Sequence, residues 1–202
     1  MNAIIKKVAS LALLASVVSA WTPNASAATR TVKLPVKTVL SSTFNLFNCS
    51  NFVSCLSNFN ELDDGDIGVG AFAKNNAVMT LRHFKISEVA AVNWSQATSV
   101  TGVRLYYGAQ ATQGTACGSF ATLVHSQSFE GLGTQENRCL NSGAGVRFSL
   151  PLRAGDDGSG NLGWTVAKVS DADFVSTVFR NAPFGPRFYV AELYIQVTYT
   201  TP

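Results

Sequence analysis

The chain is short of charge. Lys, Arg, Asp and Glu make up 13% of its 202 residues, for a formal net charge of +3. That leaves no basic stripe of the kind that neutralises phosphates, so nucleic acid is not an expected partner. Only two histidines occur, His83 and His125. Neither lies in an H-E-x-x-H arrangement, and there is no G-x-S-x-G nucleophile elbow. The four cysteines include no C-x-x-C pair, which argues against a zinc site. No apolar run reaches the roughly 20 residues of a membrane span. Internal repeats, low-complexity tracts and linkers are also missing, so one domain is expected.

The N-terminus reads as an export signal. Lys6 and Lys7 precede the apolar run Val8–Val18, and Ala25-Ser26-Ala27 offers small residues at the positions a signal peptidase reads. Residues 1–27 are therefore expected to be a secretory signal and residues 28–202 a single domain. Removing the signal takes both lysines with it, and the net charge falls to about +1, from the counts of Lys, Arg, Asp and Glu. An exported chain meets oxidising conditions, so the four cysteines are read as two disulfides. Four allow three connectivities. The favoured pairing is Cys49–Cys55 with Cys117–Cys139, because each pair flanks a polar stretch.

Hydrophobic alternation with period two marks strands. Val32, Leu34 and Val36 alternate near the new N-terminus. Pro35 lacks an N–H, so that strand is expected at an edge or interrupted. Val103, Leu105 and Tyr107 alternate, as do Val146, Phe148, Leu150 and Leu152. The last strand, 188–200, is the longest, with Tyr189, Ala191, Leu193, Ile195, Val197 and Tyr199 on one face. Two helices are expected. Ser87–Thr98 is the weaker. Ser170–Arg180 is the stronger, with Ser170 and Asp173 as a capping box and Phe174, Val175, Val178 and Phe179 as an apolar face. Residues 130–145 read as a Gly-rich loop, and Trp164–Val169 as a short strand. The sum is a mainly β protein, an antiparallel β-sandwich or jelly roll with one or two short helices.

Candidate chemistry is sparse. Trp94, Tyr106 and Trp164 are the ligand-binding candidates, since an exposed ring can stack on a pyranose and neighbours such as Asn93 and Gln96 can bond hydroxyls. Tyr107 and Tyr194 are further rings of interest, and Tyr106 is expected to be more exposed than Tyr107. Asp156 and Asp157 are the metal candidates, as an irregular calcium site; calcium is the only cofactor considered. Asp63, Asp64 and Asp66 are turn residues that a two-carboxylate glycosidase could use.

In architecture alone, a signal, an N-terminal alternating strand, a cystine and a C-terminal aromatic strand resemble pilins, secreted fibre subunits that assemble by strand donation. The ranking that follows is a secreted, non-enzymatic structural or adhesive protein, then a carbohydrate-binding module, then a secreted polysaccharide hydrolase or lyase. Expected partners are cell-surface or matrix components, a glycan, or further copies of the chain, with no membrane span in the mature part.

Overall fold

The computed structural model describes residues 27–47, 70–73, 76–89, 93–111, 114–125, 130–141, 145–155, 162–180, 186 and 188–202. The expected signal, Cys49, Cys55, the Asp63 cluster, Asp156 and Asp157 lie outside the described residues. Ten strands appear among the described residues: β1 (Ala28–Ser42), β2 (Asn45–Phe47), β3 (Gly70–Ala73), β4 (Ala77–His83), β5 (Ser99–Ala111), β6 (Thr115–His125), β7 (Glu130–Asn141), β8 (Val146–Pro151), β9 (Asp173–Arg180) and β10 (Phe188–Thr201). All their pairings are antiparallel. The mainly β, sandwich-like fold expected from alternation is the fold observed.

Strand β1 organises both layers. Its first half pairs with β10, from Ala28↔Thr201 to Pro35↔Tyr194. Its second half pairs with β4, from Val36↔His83 to Ser42↔Met79, with two register shifts. The change of partner falls at Pro35. Proline has no N–H to give to a ladder, and its carbonyl accepts from the Phe84 N–H at 2.9 Å, on the β4 side. The strand is interrupted at Pro35, and among the described residues each half has a ladder on one side only, the first half edging the front sheet and the second the back. One sheet, the front, continues from β10 through β5 to β8, with β3 and then β2 beside the start of β10. The other, the back, runs β1, β4, β9, β6, β7.

The layers meet on side chains of matching parity. Val32, Leu34 and Val36 are at most 7% exposed, and Leu105, Ile195 and Val197 from the front bury with Leu81, Phe120 and Val178 from the back. Tyr107 of β5 stacks on Phe120 of β6 with ring centroids 3.7 Å apart, and Phe188 of β10 lies 5.8 Å from Phe120. Gly118 makes room for Phe188, because a Cβ there would come within 2.6 Å of the ring. In β10 a bulge between Val190 and Glu192 changes the parity. Phe188 and Val190 therefore join Leu193, Ile195, Val197 and Tyr199 in the core, and Tyr189 turns to the other face, contrary to strict alternation.

The strongest expected helix is a strand. Residues 173–180 form β9, between β4 and β6 in the back sheet. The single α-helix among the described residues, α1 (Val166–Asp171), lies just before it, where a strand was expected. Thr165 caps α1, its hydroxyl accepting from the Lys168 N–H at 3.2 Å. Ser170 sits inside the helix and is no cap; its hydroxyl donates to the Val166 carbonyl at 2.8 Å. Alternation in β9 was concealed because two of its inward positions are polar. Phe174, Ser176, Val178 and Arg180 are all at most 3% exposed. Ser176 is satisfied by His83 Nε2 at 2.8 Å, and Arg180 donates to the Cys117 and Pro186 carbonyls. The expected helix over 87–98 resolves into two 3-10 turns, Ile86–Glu88 and Trp94–Gln96. The Gly-rich stretch read as a loop forms β7, which pairs with β6.

Cys117 and Cys139 face each other directly across β6 and β7 and form a disulfide. It joins two strands rather than pinning a loop. The loop it closes spans a separation of 22 residues, which by chain entropy corresponds to about 3 kcal/mol. The double variant Cys117→Ser/Cys139→Ser should lose that amount in urea unfolding; an unchanged midpoint would show that the β6–β7 ladder does not need the cross-link.

His83 carries a second expectation. Its Nδ1 lies 3.1 Å from the Leu34 carbonyl and so holds the proton, leaving Nε2 to accept from Ser176. Burial lowers its pKa from 6.5 to about 4, partly offset by the Leu34 bond. The folded chain keeps His83 neutral while the unfolded chain protonates it. This contribution is fully present above pH 6.5 and is lost as pH falls toward 4, a decline of roughly 3 kcal/mol. Urea unfolding at pH 7.5, 5.5 and 4.5, with NMR titration of the ring, measures it. A ring titrating near pH 6.5 would contradict the buried, neutral assignment.

Candidate functional site

The outward face of the front sheet carries the most developed cluster of side chains. Its geometry follows from register. Arg147 of β8, Gly108 of β5 and Glu192 of β10 stand in one row. The next row holds Ser149, Tyr106, Tyr194 and Pro35, and the one beyond it Pro151, Arg104, Gln196 and Lys33. Gly108 matters because it lacks a side chain. A Cβ there would sit 3.3 Å from Glu192 Cβ and 3.4 Å from its Oε2. Through that gap Arg147 reaches across β5 and grips Glu192 with two parallel bonds, Nε to Oε2 at 2.7 Å and Nη2 to Oε1 at 2.5 Å. The Glu192 side chain is 2% exposed and the Arg147 side chain 41%. A bidentate pair of this kind fixes both groups in direction as well as distance.

Beside the pair stands an aromatic stack. Tyr106 and Tyr194 lie parallel, 2° apart in plane and 5.1 Å between centroids. The Lys33 ammonium sits 4.8 Å from the centre of the Tyr194 ring, within cation–π range. Tyr194 is thereby buried between Lys33 and Tyr106, while Tyr106 remains half-exposed. Arg104 bonds Ser149, Nη2 to Oγ at 2.9 Å and Nε to Oγ at 3.2 Å. These groups border a depression of about 180 Å³ lined chiefly by Tyr106, Tyr194, Arg147, Glu192 and Ser149. A larger hollow of about 410 Å³ lies by Asn76, Ser119, Gln135 and Phe179 on the back sheet. The Arg180 guanidinium at its border is already committed to two backbone carbonyls.

The three ring candidates do not converge. Tyr106 lies on the outward face. Trp164 is 1% exposed, packs 5.6 Å from Phe174 and donates its indole N–H to the Leu152 carbonyl at 2.8 Å. It presents no ring to solvent and is corrected to a core residue. Trp94 is half-buried at one end of the sandwich, edge-on to Tyr199 at 5.1 Å, with its N–H on Ser170 Oγ at 2.7 Å. Tyr107 points inward, 1% exposed, with its hydroxyl 3.1 Å from Glu136. His83 is sealed in the core at 1% exposure and can reach no substrate. His125 ends β6 opposite Asp173. Among the described residues no cluster of His, Cys, Asp and Glu could hold a metal ion, and the calcium candidates Asp156 and Asp157 fall outside them.

No protein-family model matches the chain, and no curated protein matches it. Solved structures of similar outline exist. A family 11 carbohydrate-binding module from Clostridium thermocellum, in complex with a β-1,3-1,4-mixed-linked tetrasaccharide, is 11% identical, with 83% of this chain and 87% of that one covered and a TM-score of 0.41. TmCBM61 in complex with β-1,4-galactotriose is 7% identical, covering 83% and 86%, at 0.40. The enzymatically active domain of bacteriophage CBA120 tailspike protein 4 is 10% identical, covering 83% of this chain and 19% of that one, at 0.33. Likeness at this level transfers no ligand to this chain, and the fold assignment rests on its own strand pairing.

Arg147 and Glu192 were not singled out from sequence. The available signal was their parity, opposite to the core residues of their strands, but nothing in the sequence places β8 and β10 on either side of β5. Arg147→Ala strands a buried carboxylate and should cost about 2 kcal/mol, less than a fully buried pair because Arg147 is half-exposed. In thermal unfolding that is a fall of roughly 4–8 °C. The double variant Arg147→Ala/Glu192→Ala should recover part of it, and a double variant no more stable than the single would refute the pairing argument.

Proposed function

We propose that this chain is an exported glycan-binding β-sandwich whose ligand lies on the outward face of the front sheet. The observation that carries the reading is the juxtaposition of the half-exposed Tyr106 ring with the rigid Arg147–Glu192 pair around the gap at Gly108. An apolar ring beside fixed, directional polar groups is what a saccharide needs: its C–H face packs on the ring and its hydroxyls meet oriented donors and acceptors. The face is built on strands whose side chains are held by cross-strand neighbours, so little ordering is left for binding to cost.

Binding is favoured over hydrolysis. Two-carboxylate hydrolysis needs two acids flanking the scissile bond. Among the described residues this face bears Glu192, and its carboxylate is committed to Arg147. Binding is also favoured over strand donation. The segment 28–40, the candidate donor, is paired on β10 and β4 within its own domain. Export is supported by the A-x-A site ending at Ala27, one residue before β1 begins at Ala28, and by the Cys117–Cys139 disulfide.

Affinity electrophoresis against a panel of soluble polysaccharides tests the reading. Tyr106→Ala should weaken retardation about 10-fold with little change in melting temperature, as loss of a central aromatic contact does. Trp94→Ala should leave retardation unchanged. Retardation lost with Trp94 and kept without Tyr106 would move the site to the end of the sandwich.

A further inference from the structure

We propose a second saccharide-binding site, centred on Phe179 on the outward face of the back sheet. Phe179 of β9 stands in one row with Val78 of β4, Ser119 of β6 and Asn137 of β7. Gln135 lies two residues along β7, in the row of Thr80 and Thr177. Phe179 alternates with the core residue Val178 and turns away from the sandwich, 38% exposed. It is the one aromatic among the exposed large apolar side chains of the described residues. Among those residues no other ring stacks on it, whereas Tyr106 already gives a face to Tyr194.

Beside the ring lies the hollow of about 410 Å³ bordered by Asn76, Ser119, Gln135 and Phe179, within the roughly 300–1,000 Å³ of small-molecule sites. A smaller one of about 170 Å³, along Cys117, Gly118, Ser119 and Asn137, meets it at Ser119. Ser119 Oγ donates to Asn137 Oδ1. That bond uses the amide oxygen, so Asn137 offers its NH2 group as donor. Asn76 and Gln135 each bring a carbonyl and an NH2 group. The Cys117–Cys139 bridge lies two residues along from Ser119 and Asn137 and fixes the two strands that carry them, so little ordering is left for binding to cost.

An unstacked ring flanked by amides and a hydroxyl suits a pyranose, whose C–H face packs on the ring and whose hydroxyls bond the amides. A second copy of the chain is a poorer occupant. The apolar side chains described in these rows are Phe179 and Val78, set among Thr80, Thr177, Ser119 and Gln135, and a stable interface needs a contiguous apolar core. The two faces lie on opposite sides of a sandwich whose sheets are about 10 Å apart. The chain therefore holds two saccharides at once and bridges them. The back-sheet site follows from its own residues; the bridging rests also on the front-sheet glycan reading.

The test uses soluble mixed-linked glucan, galactan, xylan and polygalacturonate, by affinity electrophoresis and by light scattering of the mixtures. The native chain should be retarded by a long polysaccharide and raise its scattering several-fold. Phe179→Ser should lose the rise in scattering while retardation through Tyr106 persists. Gln135→Ala, a change at an exposed position of β7, should reduce scattering in the same direction with the melting temperature kept. Tyr106→Ala/Phe179→Ser should abolish the weak retardation that Tyr106→Ala retains. Scattering that survives Phe179→Ser would overturn the second site. Retardation that Tyr106→Ala alone abolishes would also overturn it and leave the front-sheet reading standing. Retardation abolished by Phe179→Ser and untouched by Tyr106→Ala would overturn the front-sheet reading and leave the back-sheet site standing. No retardation by any polysaccharide would overturn both.

Discussion

Both sheets depend on a single strand that changes partner halfway. Before Pro35, β1 completes the ladder of β10; after it, the same strand completes that of β4. A sandwich built from two separate sheets is held by side-chain contact alone. Here the backbone hydrogen bonds of one strand tie the layers at a corner, and the inward residues Leu34 and Val36 on either side of the switch are buried in a common core. The same segment supplies the Leu34 carbonyl that orients His83, so the corner also organises the polar contact inside the back sheet. Each half of β1 is engaged by one ladder within its own domain.

The sandwich holds most of its interior polar groups with local partners, while Arg138 Nε, Arg180 Nε and Asp173 Oδ1 are buried without a hydrogen bond among the described residues. His83 and Ser176 pair within the back sheet. Tyr107 reaches Glu136, which is ion-paired with Arg138, and the Arg138 guanidinium lies 4.9 Å from the Phe148 ring. That cluster closes the side of the sandwich where the edge strands β7 and β8 approach. The outward Arg147–Glu192 pair follows the same logic at the surface: a glycine opens the space, and a fork of two bonds holds the carboxylate. Stability and site are built from one device, a polar group fixed by a partner on a neighbouring strand.

How much was legible in the sequence follows from this. Strands with apolar inward faces were visible from alternation, as at Val103, Leu105 and Tyr107. Strand β9 was not, because Ser176 and Arg180 occupy inward positions and break the pattern, leaving Phe174, Val175, Val178 and Phe179 to imitate a helical stripe. Strand β7 was hidden because its inward residues include Glu136 and Arg138, and an edge strand buries little. The bulge after Val190 moved Tyr189 off the core face, a change of parity that no residue type announces. Of the site, Tyr106 was legible because its parity opposes Val103 and Leu105. Trp164 looked equally eligible, since composition does not tell a core indole from an exposed one.

What the sequence determined by itself is whatever local chemistry decides. That covers the class of fold, through period-two patterning, and the interruption of β1, through a residue that cannot donate. It covers the chance for Cys117 and Cys139 to pair, and the outward parity of Tyr106. Tertiary structure alone decided which strands are neighbours. Only that adjacency lets Arg147 cross over Gly108 to Glu192, and sets Tyr106 against Tyr194 with Lys33 beyond. The reason is physical: strand order is chosen by the packing and hydrogen bonding of residues far apart in the chain, and that information is spread over many strands rather than carried by any one of them.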